Sequence, residues 1–246
     1  MSPAGNPLAL AAMNYDWESI ADGVYRCRLP FLDVTVGLVS GRDENLLIDC
    51  GTTLSEAGFI AADVRELTGS AVSALVMTHH HFDHILGCGG FGEVPSYAAP
   101  PVAAALGARL DDVSAEALRY GADAGEVDRA ALAVRLPDRQ VWQADIDLGG
   151  RVVRVEHPGR GHTDHDLVVV VPAADPGQPA VVFCGDLVEQ SADPAIGPDA
   201  DLAAWPAALD RMLELGGQDA IYVPGHGAVV DSAFVRDQRD WLAARA

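Results

Sequence analysis

Val72-Ser73-Ala74-Leu75-Val76-Met77-Thr78-His79-His80-His81-Phe82-Asp83-His84 is the stretch whose reading settles both the fold and the chemistry. Its first half is a nearly continuous apolar run, the pattern of a strand buried on both faces. The run leads straight into four histidines and an aspartate within six residues, 79–84. In extended backbone, residues two apart project to the same side, so His79 and His81 face together and His80 points away from them. Asp83 and His84 follow on the loop. Imidazoles crowded with a carboxylate suit a transition metal, because a borderline ion such as zinc takes nitrogen and oxygen donors.

Further along the chain, three more apolar runs deliver polar residues in the same way. His162, in Gly161-His162-Thr163, stands just before the run 167–171. Asp186 follows the run 181–184 through Gly185, and His226 follows the run 221–223 through Pro224-Gly225. Glycine beside a strand end lets backbones crowd around a small site. An isolated histidine such as His157 or His165 is ordinarily a packed or surface residue, and neither is counted as a ligand.

The rest of the chain frames these ends. Residues 24–28, 34–40 and 46–49 read as an opening β-meander. Leu54, Phe59, Ile60, Val64 and Leu67 recur at helical spacing over 52–67, ending before Gly69. A strand is expected at 96–98 and a helix at 101–110. Residues 111–133, rich in Ala, Asp and Arg, read as a mostly helical insertion outside the core, part of a larger one over about 92–137. Strands return at 140–143, 146–148 and, after a Gly149-Gly150 turn, 151–156. A helix over 202–215, a strand at 221–223 and a helix over 231–244 close the chain. Strand–helix order in both halves suggests two sheets packed face to face with helices outside, in one domain spanning 1–246.

Composition narrows the function. The 246 residues carry 36 acidic and 16 basic side chains, a net charge of −20, and every basic residue is Arg. Such a surface repels phosphate backbones, which disfavours nucleic acid as a partner. No apolar run reaches the roughly 18 residues of a membrane span. The patch at 8–12 has no Lys or Arg before it, so it lacks the charged start of a secretory signal. Residues 1–13 are therefore expected to be a disordered leader, and the protein cytoplasmic. Cys27, Cys50, Cys88 and Cys184 are scattered without a CxxC pair and read as small buried residues.

Taken together, His79-x-His81-x-Asp83-His84, Gly161-His162-Thr163, Gly185-Asp186 and Pro224-Gly225-His226-Gly227 resemble the metallo-β-lactamase superfamily of hydrolases. Leu46-Leu47-Ile48-Asp49-Cys50-Gly51 is similar to that family's first motif, so the likeness covers nearly the whole chain. It implies an αββα four-layer sandwich, two mixed sheets flanked by helices, with metals at one sheet edge. By the same likeness, His79, His81 and His162 would hold a first ion. Asp83, His84 and His226 would hold a second, and Asp186 would bridge them. The implied cofactors are two zinc ions, with iron or manganese as alternatives. Asp49 would orient the ligand loop rather than bind metal. Zinc lowers the pKa of bound water to about 7, which would supply a bridging hydroxide to attack a carbonyl. Asp83 would be the catalytic residue that orients that nucleophile and passes a proton to the leaving group.

The resemblance leaves the substrate open among an ester, lactone, thioester or amide of small size. The family's true β-lactamases commonly have a cysteine where Asp186 stands and, three residues on, a lysine that binds the antibiotic carboxylate. This chain has Glu189 there and no Lys anywhere. Thioesterases of the glyoxalase type usually carry a histidine four places after the one at His162, where this chain has Asp166. Cys184 is an alternative ligand to Asp186. The remaining alternatives are β-lactam hydrolysis, an iron-dependent oxidoreductase of the same fold, and a metal-binding protein without catalysis. Substrate contacts are expected from the 91–136 region, Phe31-Leu32 and 191–198, with Tyr97, Tyr120 and Trp205 as candidates. Whether the protein is a monomer or a homodimer stays open.

Overall fold

Alternation along the strands sorts the core into layers. In the computed structural model, residues 13–175 and 177–246 are described, so the expected leader lies, apart from Met13, outside them. The first sheet holds β1 (Glu18–Ala21), β2 (Val24–Arg28), β3 (Thr35–Ser40), β4 (Asn45–Ile48), β5 (Ala74–Val76), β6 (Ser96–Ala98) and β7 (Arg139–Gln140) in chain order. It is antiparallel through β4 and parallel from β4 to β7. The second sheet holds β8 (Gln143–Asp147), β9 (Val152–Glu156), β10 (Val168–Val171), β11 (Val181–Glu189) and β12 (Ile221–His226). Only its β11–β12 pair is parallel.

Neighbouring residues on one strand serve different layers, as the period of two requires. Val39, Leu46, Ile48 and Val76 meet Val155, Val169 and Phe183 between the sheets. Leu38, Leu47 and Leu75 turn outward onto α1 (Leu54–Thr68) through Ile60 and Val64. In the second sheet Val168, Val170 and Val182 turn outward too. They pack on Trp205 and Met212 of a later helix and on Val235 and Leu242 of the last one. Helix, sheet, sheet, helix is the four-layer order expected from the sequence.

Local signals set the helix ends. Thr53 caps α1: its hydroxyl accepts from Glu56 N at 3.1 Å, while the Glu56 carboxylate accepts from Thr53 N at 3.0 Å. Gly69, at φ 77, closes the helix in the left-handed conformation that favours glycine. A one-turn helix α2 (Phe82–Ile85) and a 3-10 turn (Leu86–Phe91) follow β5. The helix expected over 101–110 ends sooner, as α3 (Pro100–Ala108), and α4 (Leu110–Arg119) begins beyond a break at Arg109.

The insertion reading needs correction. Residues 96–98 form β6 inside the first sheet, and α4 and α5 (Ala124–Ala133) enclose a small core of their own. Phe82 and Leu86 pack there with Ala105, Val113, Ala117, Val127 and Ala130. Alanines do much of that packing, which is why the apolar periodicity was weak. The second half closes with α6 (Trp205–Gly216) and α7 (Ser232–Ala243). Among the described residues, no helix is long and apolar enough to cross a membrane.

Candidate metal centre

Strands β4, β5, β11 and β12 and the segment before β10 all bring their chemistry to one edge of the paired sheets. Past β4, Asp49 takes φ 61, a left-handed conformation unusual for a non-glycine residue. There its carboxylate accepts from Thr78 N at 2.8 Å and from the Thr78 hydroxyl at 2.9 Å, which fixes the loop that carries the histidines. His81 stands at the start of α2, and Asp83 and His84 lie within its turn. Gly185, at φ 51, shifts the β11 register before Asp186. The shift separates Cys184 from Asp186: Cys184 packs against the outer helices with Val182 and Trp205, so it is no alternative ligand. Gly225 lets β12 pass close by, since a Cβ there would fall 1.8 Å from Asp186 Oδ1.

All seven residues singled out as metal ligands in the sequence converge. One ligand atom from each of His79, His81, His162 and Asp186 lies within 4.8 Å of the others, and Asp83, His84 and His226 form a second such group. His81 Nδ1 is 3.2 Å from His79 Nε2 and 2.9 Å from His162 Nε2. Asp186 Oδ2 is 3.6 Å from His79 Nε2 and 3.5 Å from His162 Nε2. Toward the second group, its Oδ1 is 3.1 Å from His84 Nε2 and its Oδ2 is 3.3 Å from His226 Nε2. Asp83 Oδ2 completes that group at 3.4 Å from His226 Nε2.

The opposite ring nitrogens show that these groups fit cations. His84 Nδ1 donates to Asp49 at 2.8 Å, and His79 Nδ1 to the Thr78 hydroxyl at 3.0 Å. His81 Nε2 donates to Asp199 at 3.0 Å. Backbone carbonyls serve the other two: Ala195 for His162 at 3.2 Å, and Leu32 for His226 at 2.8 Å. With each outer nitrogen donating its proton, the inner nitrogens present lone pairs to one another at 2.9–3.4 Å. Such an array is repulsive unless protons or metal ions lie between. Asp186 Oδ1 is likewise buried with no aligned hydrogen bond, its one close polar neighbour being the inner nitrogen of His84 at 3.1 Å. Hydrogen-bonded imidazoles and shared carboxylates are the donor set and supporting shell of a borderline divalent metal.

Charge in the protein alone follows the same division except at His81, where burial is outweighed by Asp199 and the nearby carboxylates and the ring is held up. Burial, together with neighbouring His81, pushes His162 down to about 4, and burial also drives His79 down. Burial acts on His226 and His84 too, but Asp186 and Asp83 outweigh it; His226 rises to about 10 and His84 also rises. Asp186 is held well below the usual carboxylate range: burial works against this, and the surrounding histidines prevail.

A cleft of about 390 Å3 opens over both groups. Leu32, Phe82 and Tyr120 give it apolar surface, and Glu116, Glu189 and Asp193 line it beyond the donor groups. The 191–198 loop contributes much of one wall, as the sequence suggested. Tyr97 and Trp205 do not line it: Tyr97 packs between the sheets, and Trp205 supports His162 from behind with rings 5.7 Å apart. Sequence reasoning missed Asp199 and the Leu32 carbonyl, which anchor ligand rings but carry no local motif. His80 turns away from both groups and meets His165 Nε2 at 3.0 Å.

With this geometry goes a family. The sequence profile of the metallo-β-lactamase superfamily matches residues 29–226, and the chain belongs to that superfamily, whose members bind metal ions and are generally hydrolases. Among curated proteins it is similar to the metallo-beta-lactamase type 2 of Bacillus sp. (strain 170), 25% identical over 70% of this chain and 58% of that one. The enzyme of the same name from Bacillus cereus is 29% identical over 40% of this chain and 37% of its own. The chain thus spans less than two thirds of the length of these relatives. Among solved structures, a metallo-beta-lactamase from Pontibacter korlensis superposes with a TM-score of 0.69 at 22% identity, covering 93% of this chain and 99% of that one. One from Erythrobacter litoralis gives 0.67 at 19%, covering 94% and 96%. At these identities the likeness establishes the fold.

Proposed function

We propose that the protein is a hydrolase that takes two divalent ions and cleaves the carbonyl bond of a small ester, thioester, lactone or amide. One observation carries the reading: two groups of inward-facing donors share Asp186, and each of the five histidines in them is anchored on its outer nitrogen. Zinc is the ion this donor chemistry favours, with iron or manganese as alternatives. When bound, the ions would supply a nucleophilic water at neutral pH and polarise the carbonyl.

The chain's own residues do the rest. Asp83 lines the cleft beside the second group, and from there it would orient the attacking water and return a proton to the leaving group. Phe82 and Tyr120, with rings 5.5 Å apart, offer the acyl portion an apolar wall. The acidic lining supports a small molecule rather than a nucleic acid as substrate. The similarity to metallo-beta-lactamases favours β-lactam hydrolysis as a second reading. Against it, among the described residues no Arg or Lys lines the cleft to receive the carboxylate of such a drug.

The test is metal analysis of purified, zinc-supplied protein together with a panel of esters, thioesters, lactones, amides and β-lactams. Two equivalents of metal and turnover of one class are expected. Metal-free protein without turnover would overturn the proposal, and oxygen consumption with iron bound would redirect it to an oxidoreductase.

A further inference from the structure

The cleft has a charge of its own beyond the donor groups, and it is of one sign. Glu189, at the end of β11, is 8% exposed and pairs in register with His226, which places it beside the second donor group. Its Oε1 accepts from Ser191 N at 3.2 Å and from the Ser191 hydroxyl at 2.5 Å. Asp199 lies on the other side, against His81. Glu116 of α4 and the exposed Asp193 complete the lining. These four carboxylates carry as much negative charge as two divalent ions carry positive, and Asp83 and Asp186 already oppose the ions.

Among the described residues no Arg lines the cleft, Glu189 and Asp193 have no ion-pair partner, and of the other two only Asp199 is held closely, by His81 Nε2 at 3.0 Å. Arg160 is 60% exposed and held at 3.3 Å by Asp201, outside the cleft. Arg119 comes no nearer than 3.9 Å to Glu116, from a side chain 73% exposed. A low-dielectric cleft lined by one sign focuses its field on the ligand that enters it. On the floor, Asp186 faces both donor groups, its Oδ1 3.1 Å from His84 Nε2, and on the hydrolase reading the reacting carbonyl would sit there.

We infer that this cleft selects substrates bearing a positively charged group, an ammonium or guanidinium, on the acyl portion beyond the reacting carbonyl, with Glu189 as the main recognition residue. The inference rests on the hydrolase reading above. In each turnover a water oxygen bonds to the carbonyl carbon, the C–O, C–S or C–N bond breaks with its electron pair leaving on the departing group, and a proton from that water passes by way of Asp83 to the departing group. The cation takes no part in that exchange. It sets where the acyl chain lies and how strongly it is held, so its effect falls on kcat/KM and weakens with salt.

Three p-nitrophenyl esters of one chain length test this: hexanoate, its ω-trimethylammonio analogue and its ω-carboxy analogue, at low and high salt. The expected order of kcat/KM is ammonium, neutral, carboxylate, with steps of about tenfold that shrink at high salt. Glu189→Gln should narrow the ammonium-to-neutral ratio, Glu189→Asp should restore most of it, and Glu189→Lys should reverse the order. If the Glu189 variants do not fold, the double variant Glu116→Gln with Asp193→Asn should still narrow the ratio. The three matching hydroxamates, titrated calorimetrically with and without zinc, give the same order even if no ester turns over. No turnover with the ammonium hydroxamate bound tightest removes the hydrolase reading and keeps the charge preference. Equal or reversed order in both series overturns the inference.

Discussion

At φ 61, Asp49 holds a backbone conformation that costs a non-glycine residue on the order of 1 kcal/mol, and from it two oxygens reach Thr78 and His84. Leu32 and Asp33, at φ 58 and 60, make the other described non-glycine exceptions, and the Leu32 carbonyl anchors His226. Strain thus gathers at the supports of the donor rings. Asp49→Asn keeps the size and one acceptor, but its amide N–H groups confront the His84 N–H. Metal affinity of the second group should fall by about 10- to 100-fold, read by competition with a chelating dye, while circular dichroism stays unchanged. Unaltered affinity would mean that Asp49 serves the loop alone. Gly225→Ala tests the opposite requirement, empty space. Its Cβ would fall 1.8 Å from Asp186 Oδ1, so the carboxylate must move out of both donor groups. Loss of at least one equivalent of metal is the expected outcome in elemental analysis.

Elements were legible where one signal dominated. Helix α1 was read from its apolar spacing and Gly69; its capping box, Thr53-Leu54-Ser55-Glu56, went unread, and Thr53→Ala should cost about 1 kcal/mol in urea unfolding without changing metal content. An unchanged midpoint would show that packing of Ile60 and Val64 alone holds the helix. The fully buried strands β5 and β10 also announced themselves, as unbroken apolar runs leading to or from a histidine. Other features needed three dimensions. β11 extends to Glu189 rather than stopping at Cys184, because the second sheet continues past the Gly185 shift, and that shift moved Cys184 to the opposite face. The α4–α5 core was hidden because Ala105, Ala117 and Ala130 fill it without a strong apolar signature. Of the site, all seven converging residues were marked by motifs at strand ends. Asp199 and Leu32 were not, because a ring's outer partner is set by how loops fold back, which leaves no fixed spacing.

Across the whole molecule, the donor groups tie stability to pH and, on the proposed metal binding, to metal as well. Without metal, Asp186 and Asp83 hold His226 up to about 10 against an ordinary value of 6.5. The folded protein therefore binds more protons than the unfolded one between those values. That stabilisation is complete below 6.5 and is lost as pH rises toward 10. His162, pushed down to about 4 chiefly by burial, acts in the other direction. Below 6.5 the unfolded chain takes a proton that the folded one refuses until about 4, so stability falls as pH falls through that window. Chelated protein should accordingly be most stable near the ordinary imidazole value and weaken on both sides. A divalent ion must displace the protons from His84 and His226, so binding releases protons and tightens as pH rises. At about a hundredfold excess over Kd, one ion adds roughly 2.7 kcal/mol, on the order of 5–10 °C in Tm for a chain of this size. Calorimetric scans with zinc and with chelator should therefore coincide at acid pH and diverge increasingly above neutrality. Parallel scans across the whole range would show that metal entry displaces no protons, and the charge assignment of His84 and His226 would be wrong.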